Sequence, residues 1–386
     1  MMISIITPTN NPMFLKELEE SILSQSYRDW EWIVLLNQGA KWKPSSPEMK
    51  NKVKIIECPF VNDSVGFLKR LACMQAGGEI TAEVDHDDIL TSDCLAKVAA
   101  AFGDPEVGFV YSKNAKLSKD FRPYLAEYGW THSSFRWKGR NLYAMDNQPL
   151  FPGRLGNIYF APDHIRAWRT SVYESIGGHD DSLKVCDDLD LMHRLYKVTK
   201  FKEIPEVLYI YRINGSNTFI QRGKLIKENN EKLYDKNIES LAERFVELSG
   251  LEKIDVASVN SCGDIISGET FFSGVKDNSV GLIKAYDSLQ YVINVKDFMS
   301  EVHRVLAPGG ILLSETPSTD GRGAFQEPNV RSFWNENSFW YYTRESLARK
   351  IGNKRIFREC KLATVFKNEF NKEHRIAHVV AHLEKL

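Results

Sequence analysis

The sequence predicts an α/β protein, a largely parallel sheet covered by helices, with a second and smaller α/β domain behind it. Three observations predict this. Apolar runs too continuous for one-sided burial recur from residue 3 onward, as in strands buried on both faces. Helical patterns separate them, which is how parallel strands are connected. After a charged amphipathic stretch at 223–250, apolar runs and helical patterns start again. The expected division is 1–222, a helical linker at 223–250, and 251–386, and 386 residues suit two domains better than one.

Taken in order, Ile3, Ile5 and Ile6 open a first strand that ends in Thr7-Pro8-Thr9. Asn11 caps a helix with Pro12 in its first position, and Phe14, Leu15, Leu18, Ile22 and Leu23 form its apolar face. Trp30-Glu31-Trp32-Ile33-Val34-Leu35-Leu36 is a second strand closed by Asn37-Gln38-Gly39, and 53–56 is a third. Residues 65–75 read as a helix that Gly77-Gly78 stops. The next strand runs from Ile80 into Asp85-His86-Asp87-Asp88, three carboxylates within four residues, ahead of a helix signal at Thr91-Ser92-Asp93. Acids this close repel one another, and a solvated turn is the plain explanation. At the carboxyl end of a strand in an open α/β sheet, where ligands bind, a divalent cation bridging to a diphosphate relieves the repulsion instead.

A strand at 107–111 leads into a segment, 113–164, that reads as irregular. Its aromatics (Phe121, Tyr124, Tyr128, Trp130, Phe135, Trp137, Tyr143, Phe151, Tyr159) interleave with Arg122, Arg136, Lys138, Arg140 and Arg154. Two explanations stand side by side: a satellite hydrophobic cluster, or an acceptor platform of aromatic faces and cations to which Trp130, Trp137, Arg140 and Trp168 belong. Gly177-Gly178 precedes Asp187-Asp188-Leu189-Asp190, a helix start whose acids suit the dipole, with Leu189, Met192 and Leu195 on one face. Leu208-Tyr209-Ile210-Tyr211-Arg212 is a strand followed by a polar loop.

Hydrophobic residues make up 43% of the chain and charged ones 26%, the balance of a protein with real cores. The net charge of −1, without long blocks of one sign, excludes a nucleic-acid binder that needs clustered cations. The six cysteines (Cys58, Cys73, Cys94, Cys186, Cys262, Cys360) are scattered and form no Cys-x-x-Cys pair, so reduced thiols are expected. The first strand starts at about Met2 and no apolar run is long enough to cross a bilayer. A cytoplasmic protein is expected, and peripheral membrane contact is compatible with that.

On these motifs, in this order, the first 220 or so residues resemble the family 2 glycosyltransferases of GT-A fold. Ile6-Thr7-Pro8-Thr9-Asn10 matches the opening nucleotide-binding turn, and Gln25-Ser26-Tyr27 the helix end before the second strand. Glu79 to Asp88 resembles the Asp-x-Asp strand, Gly177-Gly178 the usual glycine pair, and Asp187-Asp188-Leu189-Asp190-Leu191 the segment that supplies the base. The resemblance implies inverting transfer of a sugar from a nucleotide-sugar donor to a glycan or lipid-linked acceptor hydroxyl. Thr7, Pro8, Thr9, Asn37, Lys69, Asp85 and His86 would bind the donor, and Asp87 with Asp85 would hold Mn²⁺ or Mg²⁺. Asp188 would be the general base, with Asp187 or Arg194 to orient it. Two departures stand out: Asn37-Gln38 where the family carries an acid, and Ile213-Asn214 where a histidine commonly follows the Tyr-Arg pair. The Gln-x-x-Arg-Trp signature of processive synthases is missing, so single addition is expected.

Beyond Asp255, a helix at 295–306 with Phe298, Val302 and Val305 inward leads to Pro308-Gly309-Gly310 as a tight turn into another strand. This resembles the carboxyl-terminal half of class I S-adenosylmethionine-dependent methyltransferases, with Asp255 and Asp264 where that family often has ribose- and adenine-binding acids. The first strand and glycine-rich loop have no counterpart, and Gly321-Arg322-Gly323 lies in the wrong context. A truncated, non-catalytic domain for scaffolding, homo-oligomerisation or acceptor binding is expected, with no S-adenosylmethionine as cofactor. The alternatives are a bifunctional glycosyltransferase/methyltransferase and an inactive nucleotide-sugar-binding protein.

Overall fold

The computed structural model describes residues 1–118, 120, 122, 129–215, 217–256 and 266–386. Phe121, Tyr124, Tyr128, Cys262 and Asp264, singled out above, lie outside them. The chain divides into two compact units, Met1–Gln148 with Gly156–Lys236, and Pro149–Leu155 with Asn237–Leu386.

The first unit is built on β1 (Ile3–Thr9), β2 (Trp30–Leu36), β3 (Val53–Glu57), β4 (Ile80–Glu83), β5 (Ile89–Leu90), β6 (Val107–Leu117), β7 (His132–Trp137), β8 (Arg140–Met145), β9 (Arg166–Arg169) and β10 (Lys200–Arg212). Their order is β3-β2-β1-β4-β9-β6-β10-β5, with the β7–β8 hairpin attached to β6. The β3-β2-β1-β4 half is parallel; β1 and β2 are buried along their length, while the edge strand β3 has no buried residue. β9 enters antiparallel between β4 and β6. The Leu15–Leu23 helix buries Leu15, Leu18 and Ile22 against the sheet, the face its spacing announced. Gln25 closes that helix by donating to the Thr91 carbonyl (2.7 Å) and accepting from the Leu95 amide (2.9 Å), so the motif serves to tie the helix to the chain just beyond the acids.

The segment 113–164 is not irregular throughout. β6 continues to Leu117, and β7 and β8 form a hairpin around Lys138-Gly139, whose positive φ values of 43° and 76° suit a two-residue turn. β7 exposes most of its residues, so no apolar alternation marked it. Phe135 and Trp137 pack against Ile89, Ala115, Leu117, Leu142, Ala144 and Ile210, a satellite cluster apart from the main core.

The second unit is a sheet of order β11-β12-β13-β15-β14, from β11 (Glu252–Asp255), β12 (Val280–Tyr286), β13 (Leu306–Pro317), β14 (Phe357–Val365) and β15 (His378–Lys385). β11, β12 and β13 are parallel, and β15 is antiparallel to both its neighbours. Two expectations need correction. An edge strand, β11, does precede the segment thought to begin without one. Pro308-Gly309-Gly310 is an irregularity inside β13 rather than a turn before it, with a register shift against β12. The helix Val295–Val305 buries Phe298, Val302 and Val305 as expected, and Trp334, Phe339 and Tyr342 enter the same core.

Candidate active site

The sheet topology assembles the site. Parallel β1 and β4 bring their carboxyl ends to one edge of the sheet. Because β9 runs antiparallel to β4, its first residue, Arg166, lies in register with Glu83, the last residue of β4. The Asp187–Tyr196 helix contributes Asp187 and Asp188 from its first turn, and the Val65–Cys73 helix contributes Lys69.

These side chains form one buried ionic cluster. Lys69 Nζ lies 2.8 Å from Glu83 Oε1 and 3.1 Å from Asp187 Oδ2. Arg166 donates from Nη2 to Glu83 Oε1 (3.0 Å) and from Nη1 to Asp188 Oδ2 (2.7 Å). Three carboxylates thus share two cations, and protonation follows the shortage. Burial opposes the charge of Glu83 and of Asp188, but Arg166 and Lys69 more than offset it and hold both below their ordinary values. Asp187 is the acid left over: burial, with Asp188 and Glu83 beside it, pushes it up to about 6 despite Lys69. Asp188 is the member of the cluster that keeps solvent access, its side chain 20% exposed against 4% for Asp187 and 1% for Glu83. An ionised, oriented carboxylate open on one side is what a general base requires.

The acidic turn lies on the other side of Arg166. His164 Nε2 is 2.9 Å from Arg166 Nη2 and 3.4 Å from Asp85 Oδ2. Burial and then Arg166 push His164 below its usual value, so the neutral ring accepts from the guanidinium. Glu83, Asp85 and His164 are close enough to hold an ion, with ligand atoms within 4.8 Å of one another. Arg166 already sits against Glu83 and His164, however, so that space carries a positive charge. The remaining acids are those of the turn itself, where Asp87 and Asp88 are buried. Asp85 has a part-exposed carboxylate, Asp87 Oδ2 accepts from Asn214 Nδ2 (2.7 Å), and Asp88 Oδ1 accepts from the Arg212 amide (2.7 Å). Burial, then Asp85 and Asp87, push Asp88 well up, and its second oxygen is buried without a partner. Carboxylates that repel one another in this way suit a hard divalent cation.

Several expected site residues are placed differently. Arg194 does not reach Asp188; it donates to Asp190 (2.6 Å from Nη2, 2.8 Å from Nε) and to the Ile176 carbonyl, and the guanidinium on Asp188 is that of Arg166. Lys69 does not face a donor site but is held between Glu83 and Asp187. Thr7 is fully buried and accepts from Trp32 Nε1 (2.9 Å), so it braces two strands rather than lining a pocket. Thr9 is buried as well and accepts from the Asn11 amide, while Pro8 is part-exposed. Asn37 donates to the Asn62 carbonyl (2.7 Å) and so holds the neighbouring loop. His86 is part-exposed between Asp85 and Asp87. Trp168 belongs to the core: it is fully buried in β9 and stacked on Tyr173 at 5.4 Å. Trp130 stacks on Phe160, and Trp137 and exposed Arg140 flank the hairpin turn. Sequence reasoning missed Glu83, His164 and Arg166. A charged residue ending a strand whose other members are Ile80, Thr81 and Ala82 was the available signal for Glu83; no local signal marked the other two.

The sheet order and this acidic carboxyl edge define an α/β protein with a mixed sheet and a cluster of carboxylates at the carboxyl ends of its parallel strands. Residues 235–314 match the family model described as methyltransferase domain. The chain is 20% identical over 259 residues to chondroitin synthase of Escherichia coli, covering 66% of this chain and 35% of that protein. It is 27% identical over 240 residues to O-antigen biosynthesis protein RfbC of Myxococcus xanthus, covering 58% of this chain and 16% of that one. It therefore spans about a third and a sixth of the lengths of these curated relatives. The crystal structure of S. aureus TarS 1-349 in complex with UDP is similar at 15% identity with a TM-score of 0.44, covering 64% of this chain and 66% of that one. Both resemblances drawn from the motifs are borne out: one part of the chain is glycosyltransferase-like, the other methyltransferase-like.

Proposed function

We propose that the protein is a metal-dependent, inverting glycosyltransferase of the family 2 type. It moves a single sugar from a nucleotide-sugar to a hydroxyl of a glycan or lipid-linked acceptor in the cytoplasm, and its second unit is non-catalytic. One observation carries this: Arg166 bonds to Asp188 on one side and to Glu83, two residues before Asp85, on the other, so acids far apart in the chain meet at one guanidinium. Asp188 takes the acceptor's proton while Arg166 fixes the carboxylate's direction. Asp85 and Asp87 would hold Mn²⁺ or Mg²⁺, whose chemistry is to neutralise charge on the departing nucleoside diphosphate. Asn214 and Arg212 steady the turn from behind, Arg212 donating from Nε to the Asp87 carbonyl (2.7 Å).

The test is release of nucleoside diphosphate from a panel of UDP, GDP and dTDP sugars with Mn²⁺, in the native chain and in Asp188→Asn. Release by the native chain alone is expected. The Asn214 contact with Asp87 favours a second reading, a protein that binds nucleotide-sugar without turnover. Donor binding by calorimetry with no release in either chain would establish that reading and overturn the first.

A further inference from the structure

Among the described residues, consecutive large hydrophobic side chains that are both more than half exposed occur at two places, Phe60-Val61 (54% and 75%) and Phe219-Ile220 (54% and 56%). A lone exposed apolar side chain is ordinary on a protein surface; paired ones, gathered, mark an interaction site. The fold gathers them. Arg222, two residues after Ile220, donates from Nη1 to the Asp63 carbonyl (3.1 Å) and to the Lys184 carbonyl (3.3 Å). Lys184 pairs with the Asp63 carboxylate at 2.9 Å. The ring of Tyr159, itself 43% exposed, meets that of Phe219 edge-on at 6.0 Å. The loop bearing Phe60 and Val61 and the helix Thr218–Gln221 therefore share one surface.

Charge decides what covers it. Arg222, Lys224 and Lys227 follow the Phe219-Ile220 pair within seven residues, and Lys224 is 93% exposed. Facing them are Glu228, 3.9 Å from Lys224, and Asp63, already paired with Lys184; on the adjoining loop Asp181 lies 3.7 Å from Arg70. Exposed aromatic and aliphatic side chains flanked by cations suit the boundary of an anionic bilayer, where apolar groups enter the acyl region and cations near the surface meet the lipid headgroup charge. No helix among the described residues is long and apolar enough to cross a membrane.

We infer that Phe60, Val61, Phe219 and Ile220 form a docking surface for an anionic phospholipid membrane. The surface adjoins the site. Asn37 holds the Phe60 loop through the Asn62 carbonyl, and Asn214, four residues before Thr218, holds Asp87. A chain docked this way presents the acidic turn beside the lipid surface.

The 386-residue chain is sedimented with phosphatidylcholine vesicles, with and without about one-third phosphatidylglycerol, at low and high salt. Binding is expected to the mixed vesicles, to fall several-fold with salt, and to fall several-fold in F219S/I220S and in F60S/V61S, with unchanged circular dichroism. Should either double variant misfold, K224E/K227E, which alters exposed cations alone, must show the same loss. Equal sedimentation of native and variant chains, indifference to phosphatidylglycerol, or loss of the variants' effect in favour of self-association by light scattering would each overturn the inference. The assay needs no sugar or nucleotide, so its outcome is independent of the transfer reaction.

Discussion

The two units treat buried charge in opposite ways. In the first, Glu83, Asp187 and Asp188 share Lys69 and Arg166, so acids outnumber cations, and the cluster opens to solvent at Asp188. In the second, Glu384 is fully buried with Arg154 at 3.2 Å and Arg358 at 3.9 Å, so cations outnumber the acid. An ionised carboxylate at the open side of such a cluster is available for proton transfer. A closed, cation-rich set fixes packing, because a buried ion pair is costly to break even where its formation gains little.

The sharpest way to break this comparison is to neutralise one acid in each set. Asp188→Asn should lower nucleoside diphosphate release by roughly 10²–10⁴-fold, the usual worth of a general base, with little change in melting temperature. Glu384→Ala should do the reverse: it leaves two arginines facing an uncompensated site and should cost about 3–5 kcal/mol in denaturant unfolding of the second unit. If Glu384→Ala abolished transfer without destabilising, the division of labour would be wrong.

The leftover acid gives a pH test. The folded value of about 6 for Asp187 lies above the unfolded value of about 3.9, so folding takes up a proton between the two. Stability of the native chain relative to Asp187→Asn should therefore be greatest below about pH 4 and fall as the pH rises through about 6, by on the order of 2–3 kcal/mol. Melting temperatures of both proteins across that range would read it, and parallel curves would show that the surplus charge lies elsewhere. Smaller again, Trp137→Ala with Arg140→Ala should raise the acceptor KM a few-fold and leave kcat alone if the hairpin turn contacts acceptor; an unchanged KM would assign it to the satellite cluster. Smallest of all is the expectation for the second unit: titration with S-adenosylmethionine should give no saturable heat, and Asp255→Asn should change nothing in transfer.

Much of the first unit was legible before the structure. The parallel strands announced themselves because burial on both faces forces continuous apolar runs, and the helices because their apolar spacing has a different period. Asp85, Asp87 and Asp188 were legible because acids at a strand end and in a helix's first turn are locally recognisable. The β7–β8 hairpin was not, since a strand with one partner and mostly exposed residues carries no such pattern. Trp168 was misplaced for a related reason: an aromatic near a cation-rich segment looks the same whether it faces solvent or core, and only the antiparallel pairing of β9 put it inside.

By itself the sequence determined which residues repeat with a strand or helix period and which acids stand at element ends, because those properties depend on neighbours within a few residues. The tertiary structure decided which cation meets which acid. Arg166 faces Glu83 and Asp188, while Arg194 stays with Asp190 one helical turn away. Electrostatic pairing in a low-dielectric interior depends on distances of a few ångströms between chain positions far apart, and strand direction and register, which no local pattern encodes, set those distances.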